Sequence, residues 1–364
     1  ASNYPRTATY PGKSTLRLCV CPAMRLCAAG LCSPAGFDRN RGRAARGVCP
    51  VRSMNVLLEA RRLEKQYRLG GGRVLHAVSD VSLQVHRGEA LALVGESGCG
   101  KSSLGRALIG LTQPTSGEVL FDGHRISGLS DRALRPWRMR MQMVFQDSSA
   151  AFNPRRTVGE SLAEPLRIHG RKNIRARVDD LLDQVGLARS VADRYPHEFS
   201  GGQRQRLNIA RALVLGPDLL VADEPVSALD VSVQAQIVNL FRDLRASLGV
   251  ACVFISHDLS VVRQMADRIA VMYLGSIVEE GDGLEVLDRP AHPYTKALLD
   301  AVPRPDRPLP PPLKGDVPSP VNPPSGCRFH TRCPIAQPKC ATDRPSLQPY
   351  GDGRRVACHY PLVA

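Results

Sequence analysis

Ala90-Leu91-Ala92-Leu93-Val94-Gly95-Glu96-Ser97-Gly98-Cys99-Gly100-Lys101-Ser102-Ser103 is the stretch on which the reading of this chain turns. Its first five residues are apolar without interruption, as in a parallel strand covered on both faces. The next eight match G-x-x-x-x-G-K-[ST], and Ser103–Ile109 has helical character, so the motif lies between a strand and a helix as it must. Glycines let successive backbone N–H groups turn inward around a phosphate, and the helix start adds the positive end of its dipole. In such a loop Lys101 reaches the β- and γ-phosphates, and the Ser102 hydroxyl ligands Mg²⁺. A shorter look-alike, Gly12-Lys13-Ser14-Thr15, has Thr7 where the upstream glycine belongs and no strand before it. It is a decoy.

Working outward, Asp218-Leu219-Leu220-Val221-Ala222-Asp223-Glu224-Pro225 is a second apolar strand, ending in two carboxylates. Strand C-termini are where α/β sheets place ligands. Asp223 suits Mg²⁺, and Glu224 suits polarising an attacking water. Val250–Ile255 reads as another buried strand and Asn55–Ala60 as the first. Short apolar runs alternating with helical stretches over about 54–285 predict an α/β domain. Between roughly 130 and 200 the strands disappear and segments such as Ile174–Val185 look helical, which predicts an inserted helical subdomain. Residues 303–326 are crowded with proline and read as an extended linker within a C-terminal extension, 286–364.

Composition narrows the function. No run of eighteen or more uncharged apolar residues occurs in the 364, so any membrane spanning falls to other chains. The net charge is +15, but residues 1–53 hold nine Lys/Arg against one acid, so about half the excess lies in a leader without period. That distribution argues against a nucleic-acid surface. The leader is expected to be disordered or non-native, with Met54 as the true start and 1–53 dispensable. Eleven cysteines fall into the leader, two central positions (Cys99, Cys252) and the tail (Cys327, Cys333, Cys340, Cys358). So sparse a centre argues against a secreted disulfide scaffold and for a reducing cytosol.

Phe199-Ser200-Gly201-Gly202-Gln203-Arg204-Gln205-Arg206 decides among the phosphate-loop families. Serine and two glycines at a helix start make a second anion site, and on a splayed subdomain it would close on a partner's nucleotide. With it the chain resembles the ABC ATPases from 54 to about 360. The order is phosphate loop, Gln146 after Met143-Val144-Phe145, FSGGQ, Asp223-Glu224, Ser227-Ala228-Leu229-Asp230, and His257 after a strand. The resemblance implies ATP hydrolysis, with Gly95, Glu96, Ser97, Gly98, Cys99, Gly100, Lys101, Ser102 and Ser103 around the phosphates. It implies adenine stacked on Tyr67, and Mg²⁺ held by Ser102, Gln146 and Asp223. Glu224, His257 and Gln146 take the catalytic roles. It further implies head-to-tail dimers in which Ser200, Gly201, Gly202, Gln203 and Asp230 complete the site. Cys99 is expected to be inert filler.

The longer phrases are similar to the dipeptide/oligopeptide importer ATPases: Val94–Ser102 (VGESGCGKS), Asp193–Arg206 (DRYPHEFSGGQRQR), Ala222–Gln236 (ADEPVSALDVSVQAQ) and Phe254–Val261 (FISHDLSV). His292-Pro293-Tyr294-Thr295-Lys296-Ala297-Leu298, Pro318–Gly326 and the cysteine tail complete the match. That resemblance implies a sibling ATPase, two permease subunits and an external solute-binding protein as partners, with no nucleic acid. The chain would sit peripherally on the cytoplasmic face of the membrane. Peptides are the favoured cargo; nickel, glutathione or another small solute is the alternative, and a soluble ABC ATPase of repair or translation, or a non-hydrolysing switch, lies further off. The tail spacings, C-x₅-C, C-x₆-C and C-x₁₇-C, match neither zinc-finger pairs nor the common ferredoxin run. Similarity to the peptide-importer ATPases implies a [4Fe–4S] cluster on Cys327, Cys333, Cys340 and Cys358, with zinc or free thiols as alternatives.

Overall fold

The computed structural model describes residues 56–148, 150–227, 229–303, 315–351 and 353–363. The leader, 1–53, and residues 304–314 of the proline-rich stretch lie outside them. The first half of the described chain builds the phosphate loop and the helical insert. Strand β1 (Val56–Arg68) and β2 (Val74–His86) form a hairpin. After them come β3 (Ala90–Val94), α1 (Lys101–Leu108), β4 (Ser116–Phe121), β5 (His124–Arg125), α2 (Asp131–Arg140), β6 (Met141–Val144), α3 (Val158–Ile168), α4 (Ile174–Gln184) and α5 (Gly201–Leu213). The second half alternates strand and helix: β7 (Leu219–Asp223), α6 (Val231–Leu248), β8 (Ala251–Ser256), α7 (Leu259–Met265), β9 (Arg268–Tyr273), β10 (Ser276–Asp282) and α8 (Gly283–Asp288). The extension adds α9 (Pro293–Asp300), α10 (Pro338–Thr342), β11 (Gln348–Tyr350) and β12 (Arg354–Val356).

Two sheets organise these elements. An antiparallel sheet in the order β2-β1-β4-β5 stacks against a larger one in the order β11-β12-β10-β9-β3-β8-β7-β6. In the larger sheet β9, β3, β8, β7 and β6 run parallel, and every residue of β3, β7 and β8 is buried. The side chains of β3 separate by parity, as a two-residue repeat requires. Leu91 and Leu93 pack with α1 and the smaller sheet, whereas Ala92 and Val94 pack with α7, α9 and the tail. Ala90 joins Phe254, Ala222 and the helices α3 to α6.

One expectation is corrected. The helical insert does not run unbroken from 130 to 200, because β6 lies within it as the terminal strand of the large sheet, beside β7. Met141-Gln142-Met143-Val144 is too short, and too closely flanked by charge, to show a period, but pairing Met141 with Leu219 and Val144 with Ala222 makes it a core strand. In the tail, β12 pairs with β10, so the extension continues the large sheet antiparallel, within the same compact unit as the rest of the described chain.

What fastens the tail is aromatic. Phe329 is 1% exposed and lies 5.3 Å, centroid to centroid, from both Tyr273 of β9 and Tyr294 of α9, which are themselves 4.6 Å apart. His292 caps α9 by accepting from the Tyr294 N–H, and burial drives its pKa down to about 3, so the imidazole is neutral. Pro293, just inside the helix, fixes the backbone angle that the first turn needs. Replacing a buried phenylalanine by alanine leaves a cavity costing about 3–5 kcal/mol. Phe329→Ala is therefore expected to lower the urea unfolding midpoint well beyond Ile335→Ala, a change at a residue 40% exposed in the same lobe. Equal midpoints for the two variants would show that the aromatic contact does not hold the extension.

Candidate nucleotide site

The loop after β3 is shaped by backbone that only glycine tolerates. Gly95, Gly98 and Gly100 have φ of 154°, 77° and 107°. A Cβ at Gly95 would lie 2.2 Å from the Met272 carbonyl oxygen, and one at Gly100 only 2.0 Å from that of Ala77. The loop is thus pressed onto β9 and β2. It leads straight into α1, whose first turn has no capping side chain and no acid. That end of the helix presents N–H groups and positive potential to whatever the loop encloses.

Lys101 opens α1 and is 4% exposed. Its Nζ donates to the Gly95 carbonyl at 2.8 Å and the Glu96 carbonyl at 2.9 Å, folding the ammonium back over the loop. Ser97 and Gly98 form the exposed crest. Cys99 is buried, with its thiol pKa raised by desolvation, in keeping with an unreactive filler. Ser102 Oγ donates to Asp223 Oδ1 at 2.7 Å, which joins the loop to the end of β7. Asp223 is 1% exposed; burial raises its pKa and the Ser102 bond opposes the rise.

The other three residues expected near the γ-phosphate come together on adjacent strand ends. Glu224 Oε2 accepts from Gln146 Nε2 at 3.0 Å, and Glu224 Oε1 lies 3.4 Å from His257 Nδ1. Gln146 follows β6, Glu224 follows β7 and His257 follows β8. Glu224 has φ 45°, a left-handed conformation uncommon for such a residue, and its N–H donates to the Ile255 carbonyl at 3.0 Å. That twist turns Glu224 away from Asp223, so consecutive acids face different partners.

Tyr67, near the end of β1, sets its hydroxyl 3.5 Å from Ser103 Oγ, with Lys65 Nζ 4.9 Å from its ring centroid. The ring therefore stands beside the start of α1. The second anion motif sits elsewhere, at the start of α5. Ser200 and Gln203 form a reciprocal capping box, Gln203 N donating to Ser200 Oγ and Ser200 N to Gln203 Oε1. A Cβ on Gly202 would come within 2.6 Å of Val233 Cγ1, so glycine allows α5 to lie close against α6. Gly201 lies near Leu229, and exposed Asp230 precedes α6 with its carbonyl accepting from Gln234 N.

Three residues here escaped the sequence reading. Asn208, 1% exposed on α5, donates to the Phe145 carbonyl at 2.9 Å and ties the Ser200 helix to the Gln146 segment. A lone amide on an apolar helix face was its only signal. Arg332 and the Tyr294 hydroxyl both reach Glu96, and nothing in the local pattern announces either contact.

In the tail, Cys327, Cys333, Cys340 and Cys358 line one small cavity with His292, Phe329 and Tyr360, and all four are free thiols. Burial raises the pKa values of Cys327 and Cys333, and that of Cys358 to about 11. Four soft donors around one enclosed space match a thiophilic metal or cluster in chemistry. Among the described residues, however, no three His, Cys, Asp or Glu stand at the spacing of a bound ion.

Known proteins resemble this chain along most of its length. Residues 78–227 match the family described as ABC transporter, and residues 278–340 match the oligopeptide/dipeptide transporter C-terminal region. A probable peptide ABC transporter ATP-binding protein of Sinorhizobium fredii is 53% identical over 317 residues, covering 84% of this chain and 90% of that one. The oligopeptide transport ATP-binding protein OppF of Escherichia coli is 49% identical, covering 80% and 93%. Among solved structures, the ATP-binding cassette MJ0796, a dimer in a post-hydrolysis state bound to ADP and Pi, superposes with a TM-score of 0.57 at 30% identity. It covers 62% of this chain and 98% of that one. With half of its residues shared with such relatives along most of its length, the chain belongs to the ABC transporter family, among the ATP-binding subunits.

Proposed function

We propose that this chain is the ATP-hydrolysing motor of a peptide importer, working at the cytoplasmic face of a membrane through partner permeases. The observation that carries the proposal is the convergence of Gln146, Glu224 and His257 on strand ends beside the Ser102–Asp223 bond. Lys101 and the loop N–H groups bind the phosphates, and Tyr67 offers its face to the adenine. Ser102, Asp223 and Gln146 are the oxygen donors for Mg²⁺, which neutralises phosphate charge when bound. Glu224 orients the attacking water, held in place by Gln146 and His257. Ser200 to Gln203, at an exposed helix start, close with Asp230 on the nucleotide of a second ATPase, which we take to be a sibling subunit. An external solute-binding protein delivers the cargo to the permeases. Among the described residues, no helix is long and apolar enough to cross a membrane, which fits a motor that leaves spanning to its partners.

Replacing Glu224 by Gln keeps the shape and removes the base. ATP should bind with near-unchanged affinity while steady-state hydrolysis in the purified complex falls about 10²–10⁴-fold. Hydrolysis at wild-type rate would rule out this role for Glu224.

The same reading extends to the tail. Cys327, Cys333, Cys340 and Cys358 would hold an iron–sulfur cluster as thiolates, a cross-link suited to a lobe with little core of its own. Their raised pKa values mean that binding must displace protons, so occupancy should fall with pH. Anaerobically purified protein should carry iron and a visible absorption band, both diminished in Cys333→Ser. Zinc without colour would replace the cluster by a zinc site. Protein free of both metals, with an unchanged tail in the variant, would end the proposal.

A further inference from the structure

The phosphate loop is held from outside by the C-terminal extension, and the contact is made to one residue. Glu96 is the first residue after the loop's opening glycine. Its carboxylate accepts two hydrogen bonds from Arg332, Nη1 to Oε2 at 2.8 Å and Nη2 to Oε1 at 3.1 Å, across 236 residues of sequence. The Glu96 N–H donates to the Tyr294 hydroxyl at 2.8 Å. Its carbonyl accepts from Lys101 Nζ. All three polar groups of Glu96 are therefore engaged, two by the extension and one by the lysine that faces the phosphates.

The anchors are rigid. The Arg332 side chain is 8% exposed, and its Nη1 also lies 3.5 Å from the Tyr273 hydroxyl. Tyr294 and Tyr273 are 0% and 1% exposed and pack on each other and on Phe329. A two-pronged guanidinium–carboxylate pair fixes direction as well as distance. It also cancels a charge that matters. An unpaired carboxylate in a loop built to enclose a triphosphate would repel it and would compete for the Lys101 ammonium.

We propose that Arg332 and Tyr294 are positioning residues for the nucleotide site, clamping and neutralising Glu96 so that ATP affinity depends on the docked C-terminal extension. Neither residue touches the nucleotide; each acts through Glu96 on the loop and on Lys101. The inference rests on the reading that this loop binds ATP, and the dissociation constant of the wild-type full chain for a fluorescent ATP analogue tests that reading separately.

The experiment uses the full chain assembled with its permeases and partner ATPase. In Arg332→Ala the KM for ATP should rise about five- to tenfold, a loss scaled down from that of a fully buried pair because Glu96 is part-exposed, with kcat little changed. Arg332→Lys should recover part of the loss, since a point charge neutralises Glu96 without matching its two oxygens. Adding Glu96→Gln to Arg332→Ala should lower KM again by removing the unpaired charge. The rate of alkylation at Cys99, followed by peptide mass spectrometry, should rise in Arg332→Ala as the loop loosens around that buried thiol. Should Arg332→Ala fail to fold, Tyr294→Phe carries the test: it keeps the aromatic packing, removes the hydroxyl, and should raise both KM and Cys99 alkylation. A folded Arg332→Ala or Tyr294→Phe with wild-type KM and wild-type Cys99 alkylation would overturn the proposal. So would a double variant binding ATP no better than Arg332→Ala.

Discussion

Parallel register is the constraint on which the site depends. Val144 pairs with Ala222, Asp223 with Ile255, and Val94 with Ser256, so the four strands β6, β7, β8 and β3 end nearly level. Gly95, Gln146, Glu224 and His257 each follow within two residues of those ends. No direct long-range attraction among them is needed, because the ladder places them. A one-residue slip would send every side chain of the moved strand to the other face. Val221, Val253 and Ile255 belong to one core cluster and Ala222 and Phe254 to another, so such a slip would invert the packing on both sides.

Within that frame, two neighbouring acids acquire different chemistry from backbone geometry alone. Asp223 completes β7, is buried, and meets Ser102. Glu224 has left the strand in a left-handed conformation, which costs about 1–3 kcal/mol and is held by the bond to the Ile255 carbonyl. The strain separates an acid suited to a metal from one suited to a water. Gln146 donates to the second acid and His257 stands 3.4 Å from its other oxygen, so the residue expected to act on water has a neighbour on each side.

The extension completes the ATPase core. Its strands lengthen the large sheet, and Phe329 packs against both Tyr273 and Tyr294. A tail with so few apolar side chains cannot bury a core alone, and it uses that of β9 and α9 instead. The His292-Pro293-Tyr294 turn is the joint: His292 caps the helix, Pro293 starts it, and Tyr294 packs inward with its hydroxyl on the phosphate loop.

Much of this was legible in one dimension. The Gly95–Ser102 spacing, the apolar runs of β3, β7 and β8, the paired acids and the Ser200 helix start are local patterns set by strand burial, glycine φ and helix capping. They sufficed for the α/β class, the nucleotide chemistry and the family. Strand β6 was legible only as the apolar run before Gln146, because four residues carry no period, and only pairing with β7 makes them the terminal strand of the sheet. Asn208 on the Phe145 carbonyl and the grip of Arg332 and Tyr294 on Glu96 were likewise decided by tertiary structure. The physical reason is common to all of them. A local motif records what a backbone turn or a buried face demands of its own residues, whereas a hydrogen bond spanning 236 residues exists only once sheet, helix and tail have closed around the same point.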